Sequence, residues 1–298
     1  MTTSERARAE LAAPTPWLLA PGSVFLLLFF ALPLLLLLRV SFYAGGSRSG
    51  FGIGALYQAG TWSLHAYRGL FNDDYFFELL TFTLKFGALV ALISVLLGLA
   101  LALLIQRLRP AARAWALGAV FLPKLASVLV VVYGLELLLG SQGLPHRVVA
   151  ALSGNDSVSL LHNFSGALIG EVYLVLPYAV LLLVAALDRI DPLLRPAARG
   201  LGAGPWRCFV WVTLPLAWPS LGATFLLCLV FGMGAYVAPY ILGSPNEFTL
   251  SIDIQRQAFE YSNWPRAAAE SMLLLLVLGL VAAVYGAGCG WWRVRERA

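Results

Sequence analysis

The sequence predicts an all-α polytopic membrane protein with six transmembrane helices, and three observations predict it. The chain of 298 residues is 60% hydrophobic and only 12% charged, where a soluble domain carries about a quarter charged residues. Its mean hydropathy is +0.82. Six apolar runs each reach the ~20 residues that a helix needs to cross hydrocarbon. Arginine concentrates in alternate connecting segments, as basic residues do when a chain threads a membrane.

In order, the spans cover residues 17–40, 79–105, 115–140, 166–187, 216–240 and 267–291. All are helices in this reading, because backbone groups in lipid must be satisfied within their own segment. A tail of residues 1–16 precedes the transmembrane domain 17–292, and a tail of residues 293–298 follows it, both tails expected in the cytoplasm. The first span reads as a retained helix, since its apolar run exceeds the ~7–15 residues of a cleaved leader.

Charge sets the expected orientation. With the N-terminus inside, the inner segments hold Arg6, Arg8, Arg107, Arg109, Arg113, Arg189, Arg195, Arg199, Arg207, Arg293, Arg295 and Arg297. The outer segments hold only Arg48, Arg68, Arg147 and Arg256, against seven acids. Twelve against four places both termini in the cytoplasm. The net charge of +5 is thus a topology signal and not a nucleic-acid signal, which calls for a soluble basic face.

Several chemistries find no support. Cys208, Cys228 and Cys289 form no disulfide framework. His65, His146 and His162 lack any metal-ligand spacing, so no metal site is expected. A P-loop needs Lys followed by Ser or Thr, yet Lys85 precedes Phe86 and Lys124 precedes Leu125. The chain is therefore not expected to hydrolyse ATP or to bind a cofactor. A membrane enzyme would need a clustered set of catalytic side chains, which is not seen. A secondary transporter would show an internal repeat, and the halves show none.

The loop 188–215 between spans four and five is polar where a turn alone would suffice. Asp191 can cap a short helix with Pro192 at its first position. Leu193, Leu194, Ala197, Ala198 and Leu201 then form one apolar stripe against Arg195 and Arg199, and Gly202 and Gly204 end the helix. A second amphipathic stretch, residues 206–213, leads to Pro215. Two readings fit: an interfacial helix lying on lipid headgroups, or a docking element for a cytoplasmic partner.

Charged residues inside spans are functional candidates, because burying them in lipid is costly. Glu136, Glu171 and Glu270 would place three carboxylates in the outer half of the membrane. Tyr133, Tyr173, Trp264 and Tyr236 could add aromatic faces for a cationic amine. Against this, Arg266 sits four residues before Glu270 and can neutralise it, and Lys85 and Lys124 can pair with the others.

The stretch PAARGLGAGPWRCFVWVTLP, from Pro196, resembles the cytoplasmic signature loop of bacterial ABC-importer permeases. That pattern is Glu-Ala-Ala, three residues, Gly, nine residues, then Ile-x-Leu-Pro. Ala197, Ala198, Gly202, Val212, Leu214 and Pro215 fall at those spacings, while Pro196 replaces the Glu. LPKLASVLVVVYGLELLLGSQG from Leu122, EVYLVLPYAVLLLVAALDRID from Glu171, GMGAYVAPYILGSPNE from Gly232 and NWPRAAAES from Asn263 resemble the spermidine/putrescine-type permeases. The resemblance implies an inner-membrane subunit that pairs with a second permease, different or identical. It implies two ATPase subunits, carrying ATP and Mg, docked on the loop through Leu194, Ala197, Ala198, Leu201, Gly202 and Pro215. It also implies an extracytoplasmic binding protein that delivers a small solute, a polyamine above all, with an amino acid or a phosphonate as alternatives.

Overall fold

The structure, a computed structural model, describes residues 16–43, 61–140, 143, 161–244 and 247–295. The outer loop containing Arg48, the loop containing His146, Arg147 and Asp156, and most of both tails lie outside the described residues. Five helices are long and apolar enough to cross a membrane, and a sixth candidate is a bent pair. The chain divides into two units, residues 1–70 with 257–272 and residues 71–256 with 273–298.

In the smaller unit, α1 (Pro16–Ser41) forms from an uninterrupted apolar run, with Pro21 and Pro33 inside it. Its Leu and Phe side chains are mostly exposed, which suits contact with lipid. At its end Arg39 donates to the Thr61 hydroxyl at 2.7 Å and lies over the Trp62 ring at 4.0 Å. The Tyr67 hydroxyl, on the short helix α2 (His65–Phe71), donates to Ser41 Oγ at 2.8 Å. These bonds fasten the chain where it leaves the helix.

The larger unit has a three-helix core. The helix α3 (Asp74–Ile105) starts at Asp73, whose carboxylate accepts from the Tyr75 N–H. The helix α6 (Phe164–Asp188) starts at Asn163, which accepts from the Gly166 N–H. The helix α9 (Leu214–Met233) packs on both. Glycines set the crossings. A Cβ on Gly232 would stand 2.9 Å from the Gly87 Cα, and one on Gly98 would stand 2.9 Å from the Ala179 Cβ. Without a hydrophobic drive between helices in lipid, such close backbone approach supplies the packing.

The third span departs from the sequence expectation of one helix over 115–140. It is α4 (Pro110–Phe121) with a 3₁₀ turn Leu122–Leu125, then α5 (Val128–Leu139), and the two segments meet at 101°. Pro123 cannot donate to the preceding turn, and Ala126 takes an extended conformation with ψ 157, so the helix restarts at a new angle.

The fifth span is also interrupted, where 216–240 was expected to be continuous. It stops at Met233, and α10 (Val237–Leu242) follows after a short irregular segment. Pro239 has no N–H for the Ala235 carbonyl, and the Thr249 hydroxyl donates to that carbonyl instead, at 2.7 Å. The helix α10 seats on α5 and α6 through Val132, Ala238 and Leu242.

The remaining elements are α7 (Leu194–Gly200), α8 (Pro205–Cys208), α11 (Leu250–Phe259) and α12 (Trp264–Arg295). The start of α11 is tied to the core by the Leu250 N–H, which donates to Thr83 Oγ1 at 2.8 Å.

Candidate functional site

Two places in the larger unit concentrate polar side chains. The first lies at the end of the bundle where α3 and α6 stop and α9 begins. Asp191 Oδ1 accepts from the Leu193 N–H at 2.8 Å, which turns the chain out of α6, and α7 follows. Gly202 ends α7 with φ +87, a conformation that costs a side chain about 1–2 kcal/mol.

From Pro205 onward the stretch over 206–213, expected to lead to Pro215, is itself part of the fifth span's helix. The helix α8 runs through a π turn, Phe209–Thr213, directly into α9, giving one helical rod over Pro205–Met233. Pro215 explains the widened turn, since its missing N–H leaves the ladder to be closed by the Leu214 N–H, which bonds Phe209 O five residues back. The polar loop is thus joined to a membrane span without intervening irregular backbone.

The apolar residues predicted for docking are presented outward. Leu201 is 91% exposed, Leu194, Ala197, Gly202 and Pro215 are exposed, and Ala198 is half-buried. Ala198, Leu201, Gly202, Ala203, Arg207 and Trp211 line one side of a groove of about 570 Å³. Behind α7 a second cleft of about 520 Å³ is lined by Arg107, Arg195, Arg199 and Trp206 among others.

A polar chain fastens α7 to the core from this side. Arg195 donates to Gln106 Oε1 at 3.2 Å, Gln106 Nε2 donates to Asp188 Oδ1 at 3.3 Å, and Arg113 pairs with the same carboxylate. The ends of α3 and α6 and the loop helix are joined through the Gln106 amide, and the start of α4 joins them through the Asp188 carboxylate. Gln106 escaped the sequence reading because a search for charges inside spans passes over an uncharged side chain at a span's end.

The second place surrounds the break in the third span. Glu171 is buried on α6, and Lys124 is the opposite charge that attracts it. Tyr178, two turns along the same face of α6, lies under the Lys124 ammonium and stacks on Phe231. Tyr173 is exposed on α6, two residues from Glu171 and so on the other side of the helix. On α5, Tyr133 and Glu136 share a face at i, i+3 spacing, with Tyr133 exposed and Glu136 half-buried. Tyr236 stacks on Tyr240 with ring centroids 5.5 Å apart.

Glu270 belongs to the smaller unit, where it is fully buried and accepts from Arg266 Nε at 3.0 Å. The three carboxylates grouped by the sequence are thus of three kinds: Glu171 beside Lys124, Glu270 paired with Arg266, and Glu136 half-buried on α5. Among the described residues no group of three or more His, Cys, Asp or Glu side chains could hold a metal.

Helices long and apolar enough to cross a membrane, crossing at glycines, two of them broken, with an exposed element continuous with one span, define a polytopic membrane protein. The fold is that of a bacterial alginate ABC transporter solved with its alginate-bound periplasmic protein, with a TM-score of 0.70 over 95% of this chain and 94% of that one, at 19% identity. The family model of the binding-protein-dependent transport system inner membrane component matches residues 94–287, and the chain belongs to that family. It is a multi-pass inner-membrane permease of an ABC importer. Curated relatives include the spermidine/putrescine transport system permease protein PotB of Haemophilus influenzae, 29% identical over 88% of this chain and 89% of that protein. The Escherichia coli PotB is 28% identical over 88% and 92%. The inner membrane ABC transporter permease protein YdcU of Escherichia coli is 29% identical over 72% of each chain.

Proposed function

We propose that this permease imports a polyamine or a closely related organic cation, received from an extracytoplasmic binding protein. It pairs with a second permease subunit, and two ATPase subunits, which carry ATP and Mg, dock on the loop 188–215 at the cytoplasmic face. The observation that carries this reading is the outward presentation of Leu201 and its neighbours on an element continuous with α9. Leu201 and Trp211, both strongly exposed on one groove, form an apolar patch that suits a protein partner. ATP binding closes the ATPase pair, the rod Pro205–Met233 follows, and the spans change between inward and outward openings. The relatives named for spermidine and putrescine support the solute class.

The experiment is ATP hydrolysis by the reconstituted complex with its binding protein. Putrescine, spermidine, amino acids and phosphonates are compared as stimulants. Stimulation by the amines alone supports the reading, and stimulation only by an amino acid or a phosphonate replaces the solute.

A further inference from the structure

Lys124 occupies an unusual place for a lysine. It sits in the 3₁₀ turn at the break of the third span, one residue after Pro123. Its Nζ stands 4.5 Å from the centre of the Tyr178 ring. That ring stacks on Phe231, with centroids 5.0 Å apart and planes 3° from parallel. Glu171 lies seven residues before Tyr178, hence on the same face of α6, and is only 6% exposed. The two opposite charges attract one another along this face, and among the described residues no hydrogen bond or ion pair joins them. The lysine therefore rests on an aromatic face beside a buried acid without being locked to it.

An aromatic face backed by a second ring, with a carboxylate alongside, is the composition that recognises an organic ammonium. The ring quadrupole and the carboxylate charge both favour a positive nitrogen, and the rings tolerate its hydrocarbon. Here the nitrogen belongs to the chain itself. A purely structural need for charge neutralisation would be met by a salt bridge in hydrogen-bonded contact, as Arg266 and Glu270 make at 3.0 Å elsewhere in the molecule. A lysine stem is long and flexible, so its ammonium can leave the ring without moving the backbone.

We propose that Glu171 and the Tyr178–Phe231 stack form a binding site for a primary ammonium group, and that Lys124 is its tethered resident, displaced when an amine arrives. The proposal rests on the reading of the solute as a cation. The resident keeps the buried carboxylate neutralised between turnovers. It also lowers the apparent affinity for the incoming amine, in proportion to the fraction of time the site is free. A site its own lysine fills about nine-tenths of the time binds amine about tenfold more weakly.

The test uses the purified complex of permease and ATPase subunits. Putrescine is titrated in, 1,4-butanediol serves as a neutral control of the same length, and ligand-induced thermal stabilisation is the readout. In Lys124→Met the putrescine midpoint should fall about tenfold while butanediol stays inert. In the double variant Lys124→Met/Glu171→Gln, where no buried charge is left unpaired, that gain should vanish. Should Lys124→Met assemble poorly, growth with putrescine should restore assembly and butanediol should not, since the added amine replaces the missing one. An unchanged midpoint in Lys124→Met, or an assembly defect that putrescine does not relieve but the double variant does, makes the pair a structural one and overturns the proposal. A wild-type complex that transports no amine, with the Lys124→Met gain still present, overturns the cationic solute and leaves the ammonium site standing.

Discussion

Arg195 and Gln106 lie 89 residues apart in sequence, and the Arg195 guanidinium donates to the Gln106 side-chain oxygen at 3.2 Å. Since Gln106 Nε2 also donates to Asp188, one amide connects the loop helix to the ends of two spans. Gln106→Met keeps the length of the side chain and removes both bonds. Hydrogen bonds to charged groups contribute about 1.5–3 kcal/mol each. The expected outcome is an assembled complex that still hydrolyses ATP but moves about tenfold less solute per ATP. The uptake-to-hydrolysis ratio measures it, and an unchanged ratio removes the amide from the coupling path.

Ala198→Arg puts a long charged side chain on the wall of the groove beside Leu201. Overpacking at a docked surface costs about 1–3 kcal/mol, and an unpaired buried charge adds to that. Normal amounts of permease in the membrane, with loss of the co-purifying ATPase subunit and of uptake, are expected. Gly202→Leu should act in the same direction through its φ of +87. If the loop lies on lipid instead, an added arginine near anionic headgroups is neutral or helpful, and ATPase binding in Ala198→Arg stays normal.

Glu136 and Glu270 should respond differently to the same change. Glu270 is fully buried against Arg266, so Glu270→Gln strips a partner from a buried pair, which costs about 3 kcal/mol or more. Its expected phenotype is a lower melting temperature of the complex. Glu136→Gln, on the half-buried face of α5 with Tyr133, should leave melting unchanged and weaken uptake of a cationic solute several-fold. Matching melting and uptake profiles for the two variants would contradict this division.

At the crossing of α3 and α9, Gly232→Ala adds a Cβ 2.9 Å from the Gly87 Cα, where only backbone movement can relieve the clash. The cost should be about 1–3 kcal/mol, read as a lowered melting temperature. Gly118→Ala serves as the control, since a Cβ there meets nothing within 4 Å.

Orientation is testable by labelling. A cysteine in place of Asn155 should react with an impermeant thiol reagent in intact cells, and one in place of Arg199 should not. The opposite pattern would invert the topology drawn from the arginine distribution.

The number of apolar runs, the helical character of the chain and the position of the amphipathic loop were legible in the sequence, because lipid imposes them locally. Each span must satisfy its own backbone and expose apolar side chains, so length and composition alone report it. The stop of α7 at Gly202 was likewise readable, since positive φ belongs to a few adjacent residues, whereas the cap expected at Asp191 only turns the chain: Pro192 stays outside the helix, which begins at Leu194 behind Leu193 with no side-chain cap. Tertiary structure decided what those residues meet. The 101° break at Ala126 and the continuity of Pro205–Met233 depend on where neighbouring helices accept a displaced backbone, which no hydropathy window contains. Burial and partners distinguish the carboxylates that depth alone groups: Glu270 accepts from Arg266, while Glu171 is buried with no hydrogen bond to Lys124. The bridge from Arg195 through Gln106 to Asp188 joins positions 82 and 89 residues apart, and only the packing of α3 against α6 brings them within hydrogen-bonding distance.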